Sequence, residues 1–176
     1  MSHEKNLRLA KRHGMKVLCY RDLSVEYQAA IAYYMAIDGS AWELPEGIVV
    51  EADIRLTQSK QHRYGIGKFY GKLLPKYLDF FVKKFGGMKF GVVNIPMSVC
   101  KAEVMKRDKD MAEDHKDFET YHKWYKRDCG IPRHKHTNPW PCILSGFNDE
   151  VFEDGWHRFH RYVQLGLDSV PCVIYI

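Results

Sequence analysis

The sequence is defined first by what it lacks. No uninterrupted apolar run approaches the roughly 20 residues that a membrane-spanning helix requires, so no membrane partner is expected. The charged opening "MSHEKNLRLAKRHGMK" has no apolar stretch behind it and does not read as a signal peptide. Both absences lead to the expectation of a soluble, cytoplasmic protein. There is no internal repeat and no low-complexity segment, and no Ser/His/Asp or Cys/His catalytic order stands out. The five cysteines, Cys19, Cys100, Cys129, Cys142 and Cys172, are odd in number, scattered and without a CxxC pair. Reduced, mostly buried thiols are expected, not a disulfide framework. "RYGIGKFYGK" (63–72) is not a phosphate loop, because the Walker pattern would need a glycine where His62 stands and a Ser or Thr where Phe69 stands.

What is present suits a globular protein of 176 residues, one domain or one domain with an extension. The net charge of +5 is unevenly spread. Residues 60–89 hold eight bases against the single acid Asp79, a local net of +7 that leaves −2 for the remainder, while residues 38–53 hold five acids and no base. Such asymmetry suits a chain that faces an anion, nucleic acid included. Within the basic stretch, Lys68 and Lys72 alternate with Tyr64, Phe69 and Tyr70, and Lys76 follows. Lysines could track a phosphate backbone while aromatics stack on bases. A helix-entry loop with solvated lysines explains the same pattern, since Leu73, Leu74, Tyr77 and Phe81 continue an apolar face.

Strand and helix signals alternate, which predicts an α/β or α+β fold. "KVLCY" (16–20), "GIVVEADI" (47–54) and "FGVVNIP" (90–96) read as strands. Ser24 caps a helix with the stripe Tyr27, Ile31, Tyr34 and Met35, ended by Asp38-Gly39. A second helix starts at Pro75 and stops at Gly86-Gly87. Residues 113–127 carry Phe118, Tyr121, His122 and Tyr125 on one helical face. "CILS" and "EVFE" read as a hairpin, followed by a helix from about Gly155 to Leu165 and a final strand "VPCVIYI".

The closing helix gathers the most chemistry. At helical spacing Asp154, His157, Arg158 and Arg161 share one face, and Gly155, Phe159, Tyr162, Val163 and Gly166 another. The second face is core. The first places cations at a helix N-terminus, where free N–H groups and the dipole already favour an anion. Arg158 and Arg161 offer phosphate-matching donors, Gly155 permits close backbone approach, and Asp154 could hold Mg²⁺. A solvated, salt-bridged helix face fits the same spacing, and spacing alone does not choose between them.

"VFEDGWHRFHRYVQLGLDSVPCVIY" resembles the closing signature of the ParB/sulfiredoxin superfamily: a strand, a Gly-x-x-Arg or Asp-Gly-x-His-Arg turn, a helix ending in Leu-Gly, then a Val/Ile-Pro strand. Gly155, His157, Arg158, Gly166 and Pro171 match in order. "VVNIPMSVCKAEV" resembles the opening strand, Ile-Pro and helix, and "NPWPCILSGFNDEVFEDG" the approach to the turn. The resemblance covers residues 88–176 and implies a small mixed sheet with flanking helices, with residues 1–87 as an N-terminal α/β extension that can pack into the same domain.

In that superfamily the turn holds nucleotide phosphates: CTP in ParB proteins, ATP in sulfiredoxin, and a nucleotide used for phosphorylation in a free-serine kinase. Some relatives are described as nucleases. The resemblance therefore implies a nucleotide- or phosphate-binding protein, with ATP or CTP and Mg²⁺ as cofactors and phosphoryl transfer or nucleotide hydrolysis as its activity. Gly155, His157, Arg158 and Arg161 would bind phosphate, Asp154 would be base or metal ligand, His157 would orient or donate, and Glu103 is a second catalytic acid. Trp156 stands where sulfiredoxin has its reactive cysteine, which argues against sulfinic-acid reduction. Partition proteins continue into helix-turn-helix and dimerisation regions past the point where this chain ends, so a full partition protein is not expected.

Two alternatives stay open. One is a DNA-binding protein or nuclease that uses Lys68, Lys72 and Lys76. The other is a non-catalytic protein of a mobile element, phage or plasmid, that acts on a host protein partner. Cys129, His134, His136 and Cys142 could supply zinc ligands, but their spacing is not a standard one, and a surface loop with incidental histidines is the better reading. The acidic loop "DGSAWELPEG" (38–47) could dock a partner through Trp42, although a Trp tucked under a loop is commoner.

Overall fold

The structure, a computed structural model, describes residues 2–37, 74–107, 114–131, 140–146 and 149–176. Its elements are helix α1 (Ser2–Arg12), strand β1 (Lys16–Cys19), a 3-10 turn (Tyr20–Asp22), α2 (Val25–Ile37), α3 (Leu74–Phe85), β2 (Lys89–Pro96), α4 (Met97–Arg107), α5 (Phe118–Asp128), β3 (Cys142–Leu144), β4 (Phe152–Asp154), α6 (Trp156–Leu165) and β5 (Ser169–Tyr175). The strands form one mixed sheet in the order β1-β2-β5-β3-β4, and the fold is α+β. Two compact units result, Met1–Leu18 with Lys89–Ile176, and Cys19–Met88. The first eighteen residues thus fold with the C-terminal part and not with the rest of the expected extension.

In the larger unit, β2 and β5 make the central antiparallel pair, from Phe90 opposite Tyr175 to Pro96 opposite Ser169. Residues 170–174 of β5 are all buried, as befits a strand covered on both faces. Proline is normally excluded from a central strand because it cannot donate to the ladder. Pro171 is accommodated because β3 pairs only with Cys172 and Val173, in parallel, which leaves Pro171 outside that ladder. β4 returns antiparallel to β3, as the hairpin reading required.

The core of this unit joins Val93, Ile95 and Cys172 of the sheet to Val104 of α4, Phe118, Tyr121 and Tyr125 of α5, and Phe159 and Tyr162 of α6. Full burial of an aromatic such as Phe159 stabilises the fold by about 2–3 kcal/mol. α5 starts later than its apolar pattern predicted. Asp117 caps it, with its Oδ1 accepting from Thr120 N at 2.9 Å and Thr120 Oγ1 at 2.8 Å.

Helix α1 was not foreseen. Its buried stripe is narrow, Asn6, Leu9 and Ala10, and begins with a polar residue. Asn6 is nonetheless its anchor: Nδ2 donates to the carbonyl of Ser145 at 2.8 Å and lies 3.3 Å from that of Val151. One buried amide thus ties the N-terminal helix to the β3–β4 connection.

In the smaller unit, α2 follows the expected helix but buries more than one stripe, with Ala29, Ala30, Ile31, Ala32 and Tyr33 buried in succession. Tyr20 and Gln28 bond reciprocally, Tyr20 Oη to Gln28 O at 2.8 Å and Gln28 Nε2 to Tyr20 O at 3.1 Å. α3 ends at Phe85, next to the Gly86-Gly87 stop. The readings of 38–39 as a helix end, 47–54 as a strand and 38–47 and 63–72 as loops fall outside the described residues. No helix among the described residues is long and apolar enough to cross a membrane.

Replacing Asn6 with Ala strips a donor from buried carbonyls, and the expected cost is about 1–3 kcal/mol of unfolding free energy. Urea denaturation with an unchanged m-value would show it. A loss below about 0.5 kcal/mol, the usual range for surface changes, would mean that Asn6 is not an anchor.

Candidate functional site

β4 ends at Asp154, the chain turns at Gly155, and α6 begins at Trp156. Gly155 has φ +107°, in the left-handed region, and the turn is also crowded. A Cβ there would lie 2.9 Å from Cys142 Cα and 3.0 Å from Arg158 Nη2. Glycine is therefore required twice over. The first intrahelical bond runs from Phe159 N to Gly155 O at 2.8 Å. Ahead of it lie the N–H groups of Trp156, His157 and Arg158, at the positive end of the helix dipole. No side chain caps this turn and no acidic residue stands in it.

Asp154 and Arg158 explain why the turn has no acidic cap. Helical spacing grouped both on an exposed face, but Arg158 is buried, with only 5 % of its side chain accessible. Its Nη2 donates to Asp154 Oδ2 at 2.8 Å, an i,i+4 pair that crosses the glycine turn. Burial opposes the guanidinium charge, but the Asp154 carboxylate overcomes it and holds Arg158 protonated well above its ordinary range. Its guanidinium lies beside Gly155, with Nη2 3.0 Å from where a Cβ would stand. Behind the turn, Cys142 Sγ donates to Gly155 O at 3.4 Å, and burial pushes that thiol up to about 12, which makes it a structural group and not a reactive one. Tyr162 Oη donates to Trp140 O.

His157 is half-buried. Its Nδ1 lies 3.2 Å from Gly130 O and 3.1 Å from Tyr125 Oη. A carbonyl oxygen only accepts, so Nδ1 carries a proton toward Gly130. These contacts fix the orientation of the His157 ring against α5 and the residue that follows its end.

Arg161 lies one turn further along, partly buried, its Nη1 3.1 Å from Gln164 Oε1. Glu103 pairs with Arg107 on its own helix, 2.9 Å from Nε, and carries no observed link to Asp154. Lys68 and Lys72 fall outside the described residues; Lys76 is in α3, with its side chain outside them. His134 and His136 also fall outside them. Among the described residues no three His, Cys, Asp or Glu groups come together as a metal site. One Asp154 oxygen is committed to Arg158.

Sequence reasoning passed over His160. It is fully buried in α6, with Nδ1 2.8 Å from His122 Nδ1 in α5 and its ring stacked on Tyr125 at 3.7 Å between centroids. The available signal was its position beside Phe159, on the core side of the helix.

Comparison with known proteins places the chain in no group: no family model, no curated protein and no solved structure matches it.

Two stability results follow from the turn. Gly155→Ala imposes left-handed strain of about 1–3 kcal/mol, to which the contact with Cys142 adds. Arg158→Ala orphans a partly buried carboxylate and is expected to cost about 3 kcal/mol, whereas Asp154→Asn keeps an acceptor and costs less. Chemical denaturation of the three variants ranks them; an Arg158→Ala protein as stable as wild type would contradict a structural role for the pair.

Proposed function

We propose that the chain is a nucleotide- or phosphate-binding protein of ParB/sulfiredoxin-like type, and that its anion site is the start of α6. One observation supports this most: a buried arginine neutralises Asp154 beside an uncapped helix N-terminus, which lessens the repulsion of an anion there. The N–H groups of residues 156–158 would bind the phosphate. Arg161 is the next cation along α6 and enters no ion pair with a described acid, and His157 would orient the bound group or donate to it. Arg158 acts in this reading by holding Asp154 and the turn. Phosphoryl transfer or nucleotide hydrolysis is the activity that suits such a site.

The test is a thermal-shift and calorimetric titration with ATP and CTP, with and without Mg²⁺. The wild-type protein should be stabilised, and Arg161→Ala should weaken binding by about tenfold, the loss of one charge-assisted hydrogen bond. His157→Ala should retain binding and lose turnover. Absence of any nucleotide response, or an equal response in Arg161→Ala, would sink the reading.

A second reading, nucleic-acid binding, is favoured by the charge of residues 60–89 and by exposed Lys11, Arg12 and Lys16, which enter no ion pair with a described residue. It requires DNA affinity that falls steeply with salt. Salt-independent or undetectable binding disposes of it.

A further inference from the structure

The seam between α5 and α6 contains a pair of histidines that the proposed chemistry does not use. His122 Nδ1 and His160 Nδ1 lie 2.8 Å apart, so one ring must donate and the other accept. His160 Nε2 is buried and has no hydrogen-bond partner. An unpaired lone pair costs less there than an unpaired N–H. His160 is therefore the Nδ1–H donor and His122 the acceptor.

This arrangement has no room for another proton. A proton on His122 Nδ1 would set two N–H groups face to face at 2.8 Å, and the rings would have to part. A proton on His160 Nε2 would create a buried cation with no acceptor. The surrounding ring faces, Tyr125 at 3.7 Å, Tyr121 at 5.2 Å and Phe118 at 6.1 Å, offer attraction but no hydrogen bond.

The charged groups around the pair do not compensate. His122 is faced by Glu119 and Lys126 of its own helix and Lys101 of α4, and Glu119 already sits 3.3 Å from Lys101. His160 is faced by His122 and His157, each a further potential cation.

We propose that the His122–His160 contact is an acid-sensitive clasp: protonation parts α5 from α6 and releases His157 from Tyr125 and Gly130. His157 is coupled to it directly, because its Nδ1 partners lie on α5 and just after it. Release frees the orientation of that ring beside the start of α6. Only the consequence for catalysis rests on the proposed function; the opening of the seam does not.

The sign follows from the folded-state proton affinities. Burial, then His122 and His157, push His160 down from 6.5 to about 2, and burial lowers His122 as well. Both rings stay neutral in the closed seam. Its stability is complete above about pH 6.5, the free-histidine value, and declines as the pH falls below it.

Amide hydrogen exchange of the whole chain, without nucleotide, tests this between pH 7.5 and 5.5 after correction for intrinsic rates. The opening population of α5 amides should rise by about tenfold per pH unit below 6.5 for each proton taken up, while β2 and β5 amides change far less. The double variant His122→Phe, His160→Phe keeps the ring stack without a proton site and should lose the pH response. His122→Gln, which preserves a neutral partner for His160, should weaken it if the double variant does not fold. Protection of α5 independent of pH overturns the clasp. So does exchange that rises equally in α5, β2 and β5, or a wild-type response in the variants. Because no nucleotide is present, failure here is separate from failure of the phosphate reading.

Discussion

The Asp154–Arg158 pair across Gly155 is the constraint on which the closing half of the structure depends. A carboxylate at the end of a strand, immediately before a helix, would ordinarily cap that helix and occupy its N–H groups. Here the arginine one helical turn later draws it inward. The geometry works only because residue 155 has no Cβ, since the guanidinium and Cys142 together fill the space that a side chain would take. A glycine, an acid and an arginine thus make one unit, and its result is a helix start whose adjoining carboxylate is paired.

Packing around that unit serves two ends. Phe159 and Tyr162 seat α6 on the sheet, and Tyr125 reaches from α5 to both His157 and His160. Rigidity at the turn and proton sensitivity at the seam therefore share one helix. Burying ion pairs is an uncertain way to gain stability, so the pair is better understood as a device that positions the turn. In the same way, Asn6 spends its hydrogen-bonding capacity on holding the β3–β4 connection beneath α1.

Much of the fold was legible in the sequence because it rests on local signals. Gly155 and Gly166 bracket α6 as read, the β2 and β5 runs are strands, and Gly86-Gly87 follows the end of α3. What was illegible depends on three-dimensional burial. Helical spacing put Arg158 on the same face as His157 and Arg161, but it cannot say that a long side chain bends under the turn. A buried stripe that begins with Asn6 does not look like a core stripe, so α1 went unrecognised. His122 lay on an apolar face in plain view, yet its meaning required His160, 38 residues away. The candidate site was therefore readable as a place and not as an arrangement of charges.

A double-mutant cycle on Asp154→Ala and Arg158→Ala, read as unfolding free energy, measures the interaction on which this account rests. Two side chains in one buried contact should couple by about 2 kcal/mol, within the range seen for neighbouring residues. A coupling indistinguishable from zero, with the two single losses simply adding, would mean that the pair does not hold the turn.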